Sequence, residues 1–331
     1  MNPETLVGAQ LVVGFDGTVV TDDLIRHLRA IHAQNLIVFE RNYTSPDQFR
    51  KLIDDLQEAL GRSLLVMVDH EGGRIIRFKS GVTQFADAAT AAKVFSSDKI
   101  EHQGRTEARE LKRLGVSVNL APCVDVSFSG CDPVIGDRSY GSDPSLVSLL
   151  SVARIRGLQS QGVAACAKHF PGLGAVRKDP HKTLPSIELD RHTIDSVHLA
   201  PFRAAISADV SMIMSSHVCY PRLIGDEQVP ATFSPALIKE FLKKSMGFSG
   251  LVLTDDLEMG ALSSFGSMGE IASAAARAGH DLLLICSDLK AQKVAFSHLL
   301  NLLNDNKISK NEAEENFEKL TSLRRNLGLE S

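Results

Sequence analysis

The chain has 331 residues, enough for one large α/β barrel or two ordinary domains. Hydrophobic residues make up 44% and charged residues 23%, which excludes a disordered chain, and a net charge of −4 argues against nucleic acid or an anionic membrane as a partner. With no tryptophan and three tyrosines, a platform for stacking sugars would have to be phenylalanine, or polar contacts would have to dominate.

The first segment, MNPETLVGAQLVVGFDG, lacks a basic stretch, a long apolar core and a small-residue cleavage site, so no signal peptide is expected. No apolar run approaches bilayer length. Cys123, Cys131, Cys166, Cys219 and Cys286 are scattered without a CxxC and read as reduced thiols of a cytoplasmic protein.

Apolar runs alternate with amphipathic stretches along the chain. Leu6 to Phe15 is the first expected strand. Leu36 to Phe39 follows a helical pattern over 22–34. Leu64 to Val68 follows a helix over 46–60 with Ser45 at its N-cap. Val116 to Leu120 follows a helix ending at Gly115, which stands where a C′ glycine belongs. Val163 to Ala167, Ser211 to Ser215, Leu251 to Thr254 and Asp281 to Cys286 complete a set of eight. Helices are expected near 143–161, 191–207, 234–246 and 267–278, with Pro201 starting a new turn inside the second of these. Two more, about 289–304 and 310–326, close the chain. Eight β/α units predict a (β/α)8 TIM barrel in a single domain over 1–331, with a doubly wound open sheet as the competitor.

The active site of such a barrel lies at the C-terminal ends of its strands, and ionisable residues crowd there. Asp69, His70, Glu71, Arg74 and Arg77 follow the third run, Asp125 and the pair Asp137-Arg138 the fourth, and Lys168-His169 the fifth. His217 follows the sixth and Asp255-Asp256 the seventh. Bland readings compete: Asp69 as a cap for the Gly72-Gly73 turn, Arg138 paired with Asp137, and one of Arg74 and Arg77 on the solvent side. Adjacent carboxylates at a strand end point oppositely, which makes Asp256 the structural member of its pair. Glu71 and His217 are pocket or supporting groups. Asp179-Pro180-His181 sets a carboxylate two residues from an imidazole, the pattern of a poised general acid/base. Asp255 leaves a dry strand as a candidate carboxylate nucleophile. Together they suit double-displacement glycoside hydrolysis, with a histidine in place of the usual carboxylic acid.

The segments VDHEGGRIIRF, VIGDRSYG, AKHFPGLG, DPH and LTDDLEMGA, in this order, resemble glycoside hydrolase family 3, and within it the single-domain bacterial β-N-acetylglucosaminidases. The resemblance implies a retaining exo-enzyme with Asp255 as nucleophile, His181 as acid/base and Asp179 as its dyad partner. It implies that Asp69, Arg77, Arg138, Lys168 and His169 hold the N-acetylglucosamine unit. It also implies action on 1,6-anhydro-muropeptides in cytoplasmic cell-wall recycling, by a monomer without metal or organic cofactor. Leu173 stands where the family commonly has histidine (GHG), Pro180 where it has serine (DSH), and His70 where it has glutamine (DQEGG). Water and phosphate both stay open as acceptor. The rivals are a metal-assisted hydrolase on Asp69, His169, His217 and Asp255, a Schiff-base aldolase on Lys168, and a non-catalytic sugar-binding barrel.

Overall fold

A computed structural model of the chain describes residues 1–128, 130, 134–177, 179, 184–225 and 229–330. Its strands are β1 (Leu11–Val13), β2 (Asn35–Val38), β3 (Leu65–Val68), β4 (Val118–Asn119), β5 (Ala164–Phe170), β6 (Met212–Ser215), β7 (Leu251–Asp256) and β8 (Leu282–Ile285). Each pairs in parallel with the next, and β8 pairs back with β1, so the sheet closes on itself. The expected (β/α)8 barrel is the observed fold.

Strand alternation builds two apolar layers. Val12, Ile37, Met67, Val118, Cys166, Met214, Leu253 and Leu284 fill the barrel interior. Their sequence neighbours Val13, Leu36, Val38 and Val66 point outward against the helices. Burial on both faces explains why each strand reads as a continuous apolar run.

The helices begin and end where their capping chemistry says. Ser45 accepts the Gln48 N–H at the start of Pro46–Leu60, which buries Phe49, Leu52, Ile53, Leu56 and Leu60 along one stripe. Ser267 and Glu270 form a reciprocal capping box on Met268–Ala278, and Gly279 ends that helix at φ +107°. Gly115, at φ +89°, ends the turn after Ser97–Arg113. The last helix, Lys310–Asn326, packs Leu320 and Phe317 against the interior layer. Its Arg324 donates to the carbonyls of Gln34 and Ser63, just before β2 and β3, so this helix covers the N-terminal end of the barrel.

Two expectations are corrected. The first apolar run is half helix: Pro3–Gln10 is helical, capped by Asn2 with Pro3 in its first turn, and only Leu11–Val13 is strand. The stretch 191–207 is broken into Arg191–Thr193, a π-helical Ile194–His198 and Ala200–Ser207, the last with Pro201 in its first turn. No helix among the described residues is long and apolar enough to cross a membrane.

Candidate active site

After β3 the chain reverses through Gly72 (φ +103°) and Gly73 (φ +55°). A Cβ on Gly72 would lie 2.7 Å from the Ala86 carbonyl oxygen and one on Gly73 2.5 Å from Cβ of Asp87, so only glycine fits this turn. The reversal brings Arg77 back to Asp69, Nη2 to Oδ2 at 3.6 Å. Asn119 on β4 clamps the same segment, accepting the His70 N–H at 3.0 Å and donating to its carbonyl at 2.9 Å. Burial first, then Arg154 and Arg77, pull the His70 pKa down to about 4, so the ring is neutral and its Nδ1 accepts the Arg77 N–H.

Lys168 and His169 are consecutive, and in a regular strand they would face opposite sides of the sheet. The pairing of β5 with β6 slips between Lys168 and Phe170, and this irregularity turns both side chains into one cavity. Strand β5 therefore runs three residues further than the apolar run suggests. Lys168 Nζ sits 2.7 Å from Asp69 Oδ1 and 2.7 Å from Glu71 Oε1. Arg138 meets Glu71 through both Nε and Nη2 at 2.8 Å, a bidentate pair. Burial alone would raise the Glu71 carboxyl, but Arg138 and Lys168 outweigh it and hold the group well below the usual carboxylate range. In the same way burial would lower Lys168, but Asp69 and Glu71 keep its ammonium charged.

His169 is fixed from both sides. Its Nδ1 is 2.7 Å from Asp125 Oδ2, its backbone N–H donates to the same oxygen, and Nε2 lies 3.3 Å from Arg138 Nη2. A guanidinium only donates, so Nε2 accepts and the proton sits on Nδ1. Asp125 is fully buried, and its other oxygen takes the Leu173 N–H at 2.5 Å. Cys123, Asp125 and His169 bring three potential ligand atoms within 4.8 Å of one another. A metal there would need the Nδ1 lone pair, moving the ring proton to Nε2 against Arg138, so this trio is a hydrogen-bonded support and not a metal centre.

Strand β7 also slips against β8, between Leu253 and Asp256. Contrary to regular alternation, Asp255 and Asp256 both line the cavity. Their bonding still differs. Asp256 Oδ1 accepts the N–H groups of Glu258 and Cys286, whereas among the described residues Asp255 Oδ1 accepts only the N–H of Asp256, at 2.8 Å. Burial pushes Asp255 up, but His169 and His217, the Asp256 N–H and Lys168 outweigh it and leave its pKa below the ordinary value. Asp256, by contrast, is pushed up to about 6 by burial, which outweighs the opposing hydrogen bond from the Glu258 N–H. His217 holds the Asp256 carbonyl at 2.9 Å and Thr232 at 2.5 Å.

The cavity so formed measures about 280 Å³ and takes Asp69, Arg77, Arg138, Lys168, His169 and Asp255 into one wall system, with Glu71, Met214 and Cys286 beside them. Six of the eight residues expected at the site therefore converge. Asp179 lies half-buried in the loop after β5 and is not among the lining residues, and His181 lies outside the described residues. Asp69 does not cap the glycine turn, and Asp137 pairs with Arg74 instead of Arg138. Both Arg74 and Arg77 line the cavity. Sequence reasoning gave Asp125 no role, although a lone carboxylate between Val124 and Val126 at a strand end demands buried donors.

The pattern of the Glycosyl hydrolase family 3 N terminal domain matches residues 26–323. The chain belongs to glycosyl hydrolase family 3. It is 35% identical over 284 residues to a Beta-hexosaminidase of Idiomarina loihiensis, covering 85% of this chain and 84% of that protein. A family 3 β-N-acetylglucosaminidase of Paenibacillus sp. superposes with a TM-score of 0.95 at 35% identity. That match covers all of this chain, which spans only 64% of the Paenibacillus chain. A β-N-acetylhexosaminidase of Beutenbergia cavernae superposes with a TM-score of 0.89 at 25% identity over 99% of both chains.

As a family 3 member the protein is a glycoside hydrolase, and the site geometry disfavours its rivals. A Schiff-base lysine must be neutral, but Lys168 is held charged between two carboxylates. Of the four ligands a metal-assisted reaction would need, Asp69 is taken by Lys168 and Arg77, and His169 by Asp125 and Arg138. Both nitrogens of His217 are already bonded.

Proposed function

We propose that the protein is a retaining exo-β-N-acetylglucosaminidase in which residues 1–331 form one catalytic domain. The observation that carries this reading is the shared cavity: Asp255 opens into the same space as the chain Asp69, Lys168, Glu71, Arg138 and His169. A sugar ring presents hydroxyls that both donate and accept. Asp69 accepts, Lys168 and Arg138 donate, and Arg77 and His169 complete the frame. Held by these groups, the anomeric carbon faces the Asp255 carboxylate, which a lowered pKa keeps ionised.

Asp255 attacks that carbon and forms a glycosyl ester as the bond to the aglycone breaks. His181, oriented by Asp179, gives its proton to the departing oxygen, then takes one from the water that hydrolyses the ester. Two inversions at one carbon return the β-anomer. The names of the relatives and the sequence motifs support N-acetylglucosamine as the released sugar. A 1,6-anhydro-muropeptide in the cytoplasm is the substrate the resemblance favours.

The test compares 4-nitrophenyl β-N-acetylglucosaminide with the β-glucoside, with and without phosphate, and adds a slow fluorinated N-acetylglucosaminide to trap the ester. Preference for the N-acetylated sugar, β-product and a label on Asp255 are expected. A label on another carboxylate, or an inverted product, overturns the mechanism.

A further inference from the structure

Behind the cavity lies a second buried ion pair that the reaction itself does not use. Glu107 on the helix Ser97–Arg113 and Arg154 on the helix Pro144–Gln159 are each about 2% exposed, with Oε2 and Nη2 2.5 Å apart. The two helices cross at glycine. A Cβ on Gly157 would lie 2.3 Å from the Glu101 carbonyl oxygen, and one on Gly104 would lie 2.9 Å from that of Arg154. Gly104 and Glu107 are three residues apart, as are Arg154 and Gly157, so the contact of bare backbones sets the pair one turn away in both helices.

This pair is expensive. Among the described residues neither Glu107 oxygen makes an aligned hydrogen bond and Arg154 Nε has no partner. Burial, opposed by Arg154, raises the Glu107 pKa to about 7. Buried ion pairs of this kind are often matched or bettered in stability by apolar residues of similar volume. Stability therefore gives no reason for it. Its hydrogen bond outward is Arg154 Nη2 to the backbone carbonyl of Glu71, at 3.4 Å. Glu71 is the residue whose carboxylate grips both Arg138 and Lys168.

We propose that Glu107 and Arg154 are positioning residues: the pair holds the Glu71 backbone, and through it sets where Arg138 and Lys168 meet the sugar. The charges then alternate from Glu107 to Arg154, Glu71 and the two cavity cations, so a displacement at the crossing reaches the substrate. The inference rests on the cavity being the N-acetylglucosaminidase site.

The experiment replaces both charges at once, Glu107→Leu with Arg154→Met, which avoids stranding one buried ion. Unfolding midpoint, kcat and KM are measured with 4-nitrophenyl β-N-acetylglucosaminide. The expected result is a midpoint equal to or above that of wild type with kcat down roughly 10–10²-fold, the scale of a small misplacement at a catalytic centre. A stable double variant with wild-type kcat and KM overturns the proposal. If the double variant does not fold, Arg154→Lys keeps the charge, on a single nitrogen, and loses the planar fork of the guanidinium. Reduced kcat at unchanged stability then supports positioning, and unchanged kcat overturns it. A wild-type protein inactive on this substrate refutes the reading of the cavity instead, which separates the two failures.

Discussion

His169 meets Asp125 twice, through its backbone N–H at 3.2 Å and its ring Nδ1 at 2.7 Å, both at the same carboxylate oxygen. The Leu173 N–H takes the other oxygen and the Cys123 thiol approaches the shared one at 3.3 Å, so every partner of the Asp125 carboxylate among the described residues is a donor.

Asp125→Asn should therefore be far more damaging than its size suggests. An amide must aim its NH2 at one of these donors, and hydrogen bonds to a buried charge contribute about 1.5–3 kcal/mol each. Loss of thermal stability together with a fall in kcat/KM is expected, because His169 loses its orientation. Wild-type kinetics in this variant would show that His169 needs no such support.

Arg138→Ala and Lys168→Ala should each cost roughly 2–4 kcal/mol in kcat/KM if both donate to the sugar as charged groups. Lys168→Ala should also lower stability, because Asp69 and Glu71 would face each other without the ammonium between them. Steady-state kinetics and urea unfolding of the two variants check this.

Glu71 carries a pH signature. Its pKa in the folded protein lies below the ordinary value of 4.5, so its contribution to stability is present above that pH and is lost as the pH falls. Glu71→Gln should lower stability at neutral pH by about 3–5 kcal/mol, the cost of breaking a buried pair. The gap to wild type should narrow below about pH 4.5. A gap that does not change with pH would mean that the carboxylate is not held ionised by Arg138 and Lys168.

Asp256 has the opposite sign. Its pKa is raised from 3.8 to about 6, so ionisation is penalised in the fold and stability is lost as the pH rises through that interval. Asp256→Asn can still accept the Glu258 and Cys286 N–H groups, so the variant should gain on wild type between about pH 4 and pH 7. Parallel unfolding curves across that range would contradict the shift.

His181 is best tested by leaving group. With nitrophenolate, which leaves unprotonated, His181→Ala should slow the first step only modestly. With an alkyl or sugar aglycone the loss should be on the order of 10²–10⁴-fold. The second step also lacks its base, so azide should restore turnover with a good leaving group. Equal losses for both classes and no azide rescue would move the acid elsewhere.

The barrel was legible because each strand is buried on both faces and each helix announces its caps, as Ser45 and Gly115 do. The cluster at the strand ends was legible for the same reason: once strand ends are known, the charged residues after them must share a rim. Two slips of register were not. Nothing in AKHF or LTDD says that pairing will shift there, and those shifts put Lys168 with His169, and Asp255 with Asp256, in one cavity. Partner choice was also hidden. Arg138 has Asp137 beside it in sequence but Glu71 beside it in space, a contact that depends on the glycine turn.

The closure of β1 onto β8, Val12 beside Leu284, joins the earliest strand of the barrel to its last. Until β8 has formed, β1 and β7 each offer an open edge. The helix over the barrel floor, with Arg324 reaching back to Gln34 and Ser63, is later still. Contacts this distant in sequence slow folding and leave half-built sheets exposed to aggregation. A chain cut after Ile285 can close its ring but loses Phe317 and Leu320 and so exposes the interior layer they cover, whereas one cut before Leu282 cannot close at all. Refolding yield should drop sharply between these two cut points.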